Sequence, residues 1–194
     1  MVEASFFRRV GANVYESSPW TRGPWSDRHQ HAGPPSALVA GQLEAMLDPS
    51  FRIVRIAVEV VRPVPIDVLR FEPSVRRDGR TVKALRGRLL GADGKVVLTA
   101  DALAIAEAPL GVDTEPAPMD QPSPDDSRSV EFPFRDHEPS YANAMELRFA
   151  RGDFGDGDVM AWFRMRVLLV QGAPITPLER VFTAADSGNG VSQR

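Results

Sequence analysis

Two short stretches of this chain carry residues able to move protons or hold a polar ligand. The first is His29-Gln30-His31-Ala32-Gly33-Pro34-Pro35-Ser36, which leads straight into a helix-like run. Histidine has the side chain whose ordinary pKa lies nearest neutrality. A helix start offers unpaired N–H groups and the positive end of the helix dipole. Pro34 and Pro35 have no N–H to give, so donors for a polar ligand would come from around Gly33 and Ser36. Gly33 would permit close approach, the prolines would stiffen the entry, and His31 would stand where a ligand meets the helix end. The plainer reading of His31 is a loop residue bonded to backbone. The second stretch is Ala184-Ala185-Asp186-Ser187-Gly188-Asn189-Gly190. A carboxylate can orient or deprotonate water, yet the residues around Asp186 also spell a helix exit, where it would serve as a local cap.

Other chemistries find little support. His29 and His31 have the spacing of two metal ligands, but no third ligand stands out, so no metal is expected. Asp153, Asp156 and Asp158 lack the spacing and terminal Glu of a calcium loop and read as a tight turn. Gly91-Ala92-Asp93-Gly94-Lys95 lacks phosphate-loop spacing. Arg76, Arg77 and Arg80 could meet phosphates but read first as solvated hairpin charges. Trp20 and Trp25 could line an apolar pocket or pack near the N-terminal strand. No nucleophile elbow or Ser-His-Asp order is found.

The elements that must position these groups follow from periodicity. Leu38, Val39, Gln42, Leu43, Met46 and Leu47 share one face at helical spacing over Gly33–Leu47, with small residues between them. Pro34 suits the first turn and Asp48-Pro49-Ser50 ends it. The period then becomes two: a strand over Val54–Val61, one over Val68–Arg77 reaching the Asp78-Gly79 hairpin, one over Thr81–Leu90, and one over Val96–Ala106. An opening strand is expected between Phe6 and Tyr15. Residues 108–140 are rich in Pro, Asp and Ser and read as a linker. Beyond it come a strand over Met145–Ala150, a turn, a strand over Val159–Val170, and a helix opened by the capping box Thr176-Pro177-Leu178-Glu179. Leu178, Val181, Phe182 and Ala185 mark its apolar face. Strand-then-helix thus occurs twice, but only the first copy continues into a meander. The second must borrow strands from another chain, complete the sheet of the first, or belong to something longer.

The chain has 194 residues, no cysteine and a net charge of −3. That excludes disulfides, thiolate metal sites and a cysteine nucleophile, and argues against a dedicated nucleic-acid binder. No secretory h-region opens the chain and no apolar run is long enough to span a bilayer. The expectation is a soluble, cytoplasmic protein.

A small-residue helix wrapped by an antiparallel sheet resembles the hotdog architecture. Together, "GPWSDRHQHAGPPSALVAGQLEAM", "FRIVRIAVEVVRPVPI", the Arg-Arg-Asp-Gly-Arg hairpin and "TPLERVFTAADSGNGVS" resemble the double-hotdog acyl-CoA thioesterases of the thioesterase II type. The resemblance covers nearly everything but the linker. It implies an α+β double hotdog: residues 1–107 as the first unit, 108–140 as linker, and 141–194 as a second unit lacking its last strands. It implies hydrolysis of fatty acyl-CoA to free acid and CoA, with no cofactor. Such relatives place a catalytic Asp on the second helix, which Asp186 matches, and Thr and Gln on later strands for which this sequence has no counterpart. The expected site is therefore Asp186 and His31 for catalysis, with Gly33, Ser36, Trp25 and Arg62 of the Arg-Pro strand end contacting substrate. A non-catalytic acyl-CoA binding module is the alternative. A hydratase-type hotdog enzyme is disfavoured because Asp186 has no His near it in sequence. Hotdog units pair through sheets and helices, so the two units should form one pseudo-dimer, and exposed edges at the unfinished second unit should favour a homo-oligomer.

Overall fold

A computed structural model describes residues 3–109, 111, 122–133 and 138–192. Strands β1 (Ser5–Gly11) and β2 (Val14–Ser17) form a hairpin and are followed by a 3-10 turn, Pro19–Thr21. Helix α1 (Gly33–Glu44) precedes the meander β3 (Phe51–Val60), β4 (Val68–Asp78), β5 (Val82–Leu90) and β6 (Val96–Ala106). Then come β7 (Arg128–Val130), the single turn α2 (Tyr141–Ala144), β8 (Met145–Arg151), β9 (Met160–Met165) and β10 (Leu168–Val170). Helices α3 (Pro177–Ala185) and α4 (Ser187–Ser192) close the series. The larger sheet runs β10-β1-β2-β4-β5-β6-β3, and a smaller one runs β7-β8-β9. Among the described residues, all strand pairings are antiparallel except β1 with β10.

Helix α1 is more enclosed than one apolar stripe would require. Ten of its twelve residues are buried, because β5 and β6 cover one side and α3 another. Its small residues make that possible. Gly87 of β5 matters for the same reason: a Cβ there would come within 2.8 Å of Val39 and 2.7 Å of Phe71. The helix ends at Glu44 rather than Leu47, and Met46 is 39% exposed beyond it.

Four other expectations change. The opening strand is a hairpin, turned by Asn13 at φ 58°, a left-handed conformation that Asn tolerates. The run Val159–Val170 is two strands in different sheets: at Arg166 the chain leaves β8, where the Arg166 N–H still donates to the Ala144 carbonyl, and passes to β1. Much of the linker, including residues 112–121 and 134–137, lies outside the described residues, but its described part is pinned. β7 pairs with β8, Phe132 is 9% exposed, and the carbonyls of Pro122 and Pro124 accept from Trp162 and Arg148.

The fourth change is in α3. Its expected apolar face is split: Val181 is 62% exposed and Ala185 is exposed, while Leu178 is half-buried and Phe182 packs against the core. Glu179 and Thr183, one turn apart, are the buried pair. They face the glycines of α1, since a Cβ on Gly41 would collide with the Glu179 carboxyl and one on Gly33 with the Thr183 carbonyl oxygen. Both polar residues satisfy themselves locally. Glu179 closes the capping box with Thr176, and the Thr183 hydroxyl donates to the Glu179 carbonyl at 2.8 Å. A polar face can therefore be buried here with little penalty.

Candidate active site

The start of α1 and the end of α3 meet at one point, and His31 and Asp186 meet there. His31 is held by its backbone: its N–H donates to the Thr21 carbonyl at 2.8 Å, and the neighbouring Gln30 N–H donates to Val64 at 2.8 Å. Gln30 also fixes the loop through its side chain, which donates to the Pro65 carbonyl at 2.7 Å. Asp186 caps α3 at its C-terminus. Its Oδ2 lies 3.3 Å from His31 Nδ1, with the imidazole side chain 13% exposed and the carboxylate 46% exposed.

Proton placement at this pair follows from its donors. The Gly33 N–H donates to His31 Nδ1 at 3.1 Å. Burial drives the His31 pKa down to about 4, against the opposing attraction of Asp186. At neutral pH the ring is therefore neutral, with Nδ1 accepting from Gly33 and the proton on Nε2. The contact with Asp186 is then no ion pair. It sets a carboxylate beside a nitrogen lone pair.

A third group completes the site. The Tyr141 ring stacks on the His31 imidazole, with centroids 3.7 Å apart and planes 2° from parallel. Its hydroxyl donates to the Thr183 carbonyl at 2.9 Å and shares a hydrogen bond with the Ser187 hydroxyl at 2.7 Å. Tyr141 is 3% exposed, and burial pushes its phenol well above the ordinary range. Sequence reasoning missed it. Tyr141 stands 110 positions from His31, at the first residue of the second unit and ahead of its first expected strand, and nothing in Ser-Tyr-Ala-Asn marks it. Ser187 was in view only as part of a helix exit.

The remaining expected residues are placed as follows. Gly33 admits α3 rather than open space, since the group nearest its missing Cβ is the Thr183 carbonyl. Ser36 is buried in the first turn of α1, where its N–H and hydroxyl both donate to the Ala32 carbonyl, at 3.1 and 2.7 Å. The Gly33 and Ser36 donors expected to face a ligand are thus both engaged within the protein. Trp25 is 89% exposed in the loop between Arg22 and Gln30, which bridge each other. Arg62 is exposed at the end of β3, where its charge helps hold the Asp93 carboxyl below the ordinary range, after the Lys95 N–H. Arg76, Arg77 and Arg80 are exposed in the β4–β5 hairpin, and Trp20 packs against the core. Among the described residues, no three His, Asp or Glu side chains converge as metal ligands would. No helix among them is long and apolar enough to cross a membrane.

Residues 21–105 match the family model of the acyl-CoA thioesterase N-terminal domain, and residues 115–194 that of the acyl-CoA thioesterase C-terminal domain. The chain belongs to the acyl-CoA thioesterase family of hotdog proteins. Solved structures agree on the fold of this thioesterase II-like chain. A candidate thioesterase from Novosphingobium aromaticivorans is 21% identical over 93% of this chain and 71% of its own, with a TM-score of 0.67. A hot dog fold protein from Alicyclobacillus acidocaldarius is 18% identical over 95% and 67%, also at 0.67. The acyl-CoA thioesterase II TesB2 of Mycobacterium marinum is 18% identical over 94% and 65%, at 0.55. The chain thus spans about two thirds of the length of these structures. Curated proteins show no match to it. The family member is an α+β hotdog protein, with its curled sheet laid around α1.

Proposed function

We propose that this family member hydrolyses fatty acyl-CoA to the free acid and CoA, without a cofactor. The observation that carries the reading is the half-exposed Asp186 carboxylate set 3.3 Å from buried His31 where α1 and α3 meet. Asp186 takes a proton from a water molecule as that water attacks the thioester carbonyl. The protonated carboxyl then has an acceptor in His31 Nδ1, which shares its lone pair with the Gly33 N–H. When the carbonyl re-forms, the carbon–sulfur bond breaks and the CoA thiolate takes the proton from Asp186. His31 acts as a neutral base or acceptor throughout, because burial disfavours its cation. The Gly33 N–H steadies His31 and Ser36 ties off the first turn of α1, while exposed Trp25 and Arg62 would meet the outer part of the ligand.

The test is thiol release from acyl-CoAs of several chain lengths. Asp186→Asn is expected to lower kcat by about 100-fold or more. Equal rates would remove Asp186 from the mechanism. Saturable binding with no turnover would favour an acyl-CoA binding module instead. One observation supports a second reading: His31, distant in sequence, stands beside Asp186 in space, so the pair needed for adding water to an enoyl thioester is present after all. Loss of the enoyl absorbance without thiol release would select that reaction. We also propose cytoplasmic residence, the division into units 1–107 and 141–194 joined by 108–140, and self-association through edge strand β3, which solution mass measurement checks.

A further inference from the structure

We propose that Tyr141 is the positioning residue that sets His31 against Asp186. Three separate contacts converge on this one side chain and its backbone. The ring lies face to face on the imidazole at 3.7 Å, so the plane of His31 follows the plane of Tyr141. The hydroxyl has one hydrogen. With that hydrogen given to the Thr183 carbonyl, the Ser187 hydroxyl donates to the phenol oxygen. Thr183 and Ser187 flank Asp186 in the chain, so the phenol grips the end of α3 on both sides of the carboxylate. The backbone completes the clamp. The Tyr141 N–H donates to the Arg22 carbonyl at 3.0 Å, and the preceding carbonyl, Thr21, accepts from the His31 N–H. One residue thereby references the imidazole, the carboxylate and the loop that carries the imidazole to a common frame. Tyr141 itself touches neither water nor substrate in this scheme.

Burial gives the arrangement a readout independent of turnover. Tyr141 covers one face of His31 and helps exclude the water that would stabilise an imidazolium. Asp186 supplies the charge that opposes that exclusion. Uncovering the ring therefore raises the titration midpoint of His31, whereas a change of fold stability alone leaves it in place.

The kinetic arm rests on the thioesterase reading; the titration arm does not. Tyr141→Phe keeps the stack and loses the hydroxyl contacts. Tyr141→Leu loses both, and Ser187→Ala removes a single hydroxyl. Each is assayed for thiol release from acyl-CoA and for the imidazole signals of His31 by NMR against pH, with His31→Gln assigning the resonance. Tyr141→Phe is expected to lower kcat about tenfold with KM within about twofold, since a misplacement near 1 Å costs up to about 100-fold. Its His31 midpoint stays near that of the wild type. Tyr141→Leu moves the midpoint up toward the ordinary value of about 6.5 and lowers kcat further. An unmoved midpoint in Tyr141→Leu overturns the proposal, as does unchanged kcat in both Tyr141 variants of an active enzyme. Absent turnover in the wild type refutes hydrolysis alone, and the midpoint shift still decides the role of Tyr141. Should Tyr141→Leu fail to fold, Tyr141→Phe and Ser187→Ala decide: wild-type kcat in both overturns the proposal, and a fall in kcat at constant KM supports it.

Discussion

Replacing Gly33 by alanine should separate the two helices that build the site. A Cβ at position 33 would lie inside the van der Waals shell of the Thr183 carbonyl oxygen, and 3.2 Å from both the Thr183 carbonyl carbon and His31 Nδ1. The first of these neighbours is helix backbone, which cannot swing aside. Overpacking of this kind costs about 3 kcal/mol at the upper end of its usual range. Alanine recovers up to about 1 kcal/mol of helix propensity. The net destabilisation is about 2 kcal/mol, which in a protein of this size lowers Tm by roughly 4–8 °C. Gly41→Ala is the internal control. The atoms nearest its Cβ would all belong to the Glu179 side chain, with Cδ at 2.7 Å and Cγ at 2.8 Å. Glu179 can rotate away at the cost of its half of the capping box, about 1 kcal/mol, which the same propensity gain offsets. Gly41→Ala should therefore be close to neutral. Urea and thermal unfolding of both variants measure the difference. If Gly33→Ala is as stable as the wild type, or is less damaged than Gly41→Ala, the helix contact described here is wrong.

Acid should destabilise the protein through His31. Its folded pKa of about 4 lies below an unfolded value of about 6.5, so the unfolded state binds the extra proton between these limits. That stability is complete above about pH 6.5 and is lost as pH falls toward 4, at most about 3 kcal/mol. Glu179, raised by burial, works in the opposite sense just above the ordinary carboxylate range. His31→Gln should flatten the slope of unfolding free energy against pH in this window; an unchanged slope refutes the assignment. Thr176→Ala removes the hydroxyl that accepts from the Glu179 N–H at 3.2 Å and should cost about 1 kcal/mol in urea unfolding. Arg86→Ala breaks two hydrogen bonds to Asp101, at 2.8 and 2.6 Å, yet should cost under about 1 kcal/mol, because the partners are 39% and 45% exposed. A loss of several kcal/mol there would show that the pair is shielded from water.

Local chemistry and periodicity specify much of this protein from sequence alone. The meander β3–β6 follows from alternation and from turns at Asp78-Gly79 and Ala92-Asp93-Gly94. The start of α3 follows from Thr176, Pro177 and Glu179, whose capping box forms as written. His31 and Asp186 could each be singled out from residue type and motif, because a histidine at a helix entrance and a carboxylate at a helix exit are local features. Their proximity is not local. It depends on α3 crossing α1 at Gly33, a contact between residues 150 positions apart that no short-range pattern encodes. The same crossing decides which face of α3 is buried. Apolar spacing pointed to Leu178, Val181, Phe182 and Ala185, of which Phe182 packs against the core, but glycines on α1 leave room for Glu179 and Thr183, whose polar groups are already satisfied. Tyr141 became visible only when folding stacked it on His31. Sequence determined which groups were available and how each local element begins and ends; tertiary structure alone decided which of them meet, because the helix crossing is fixed by steric fit between distant backbones.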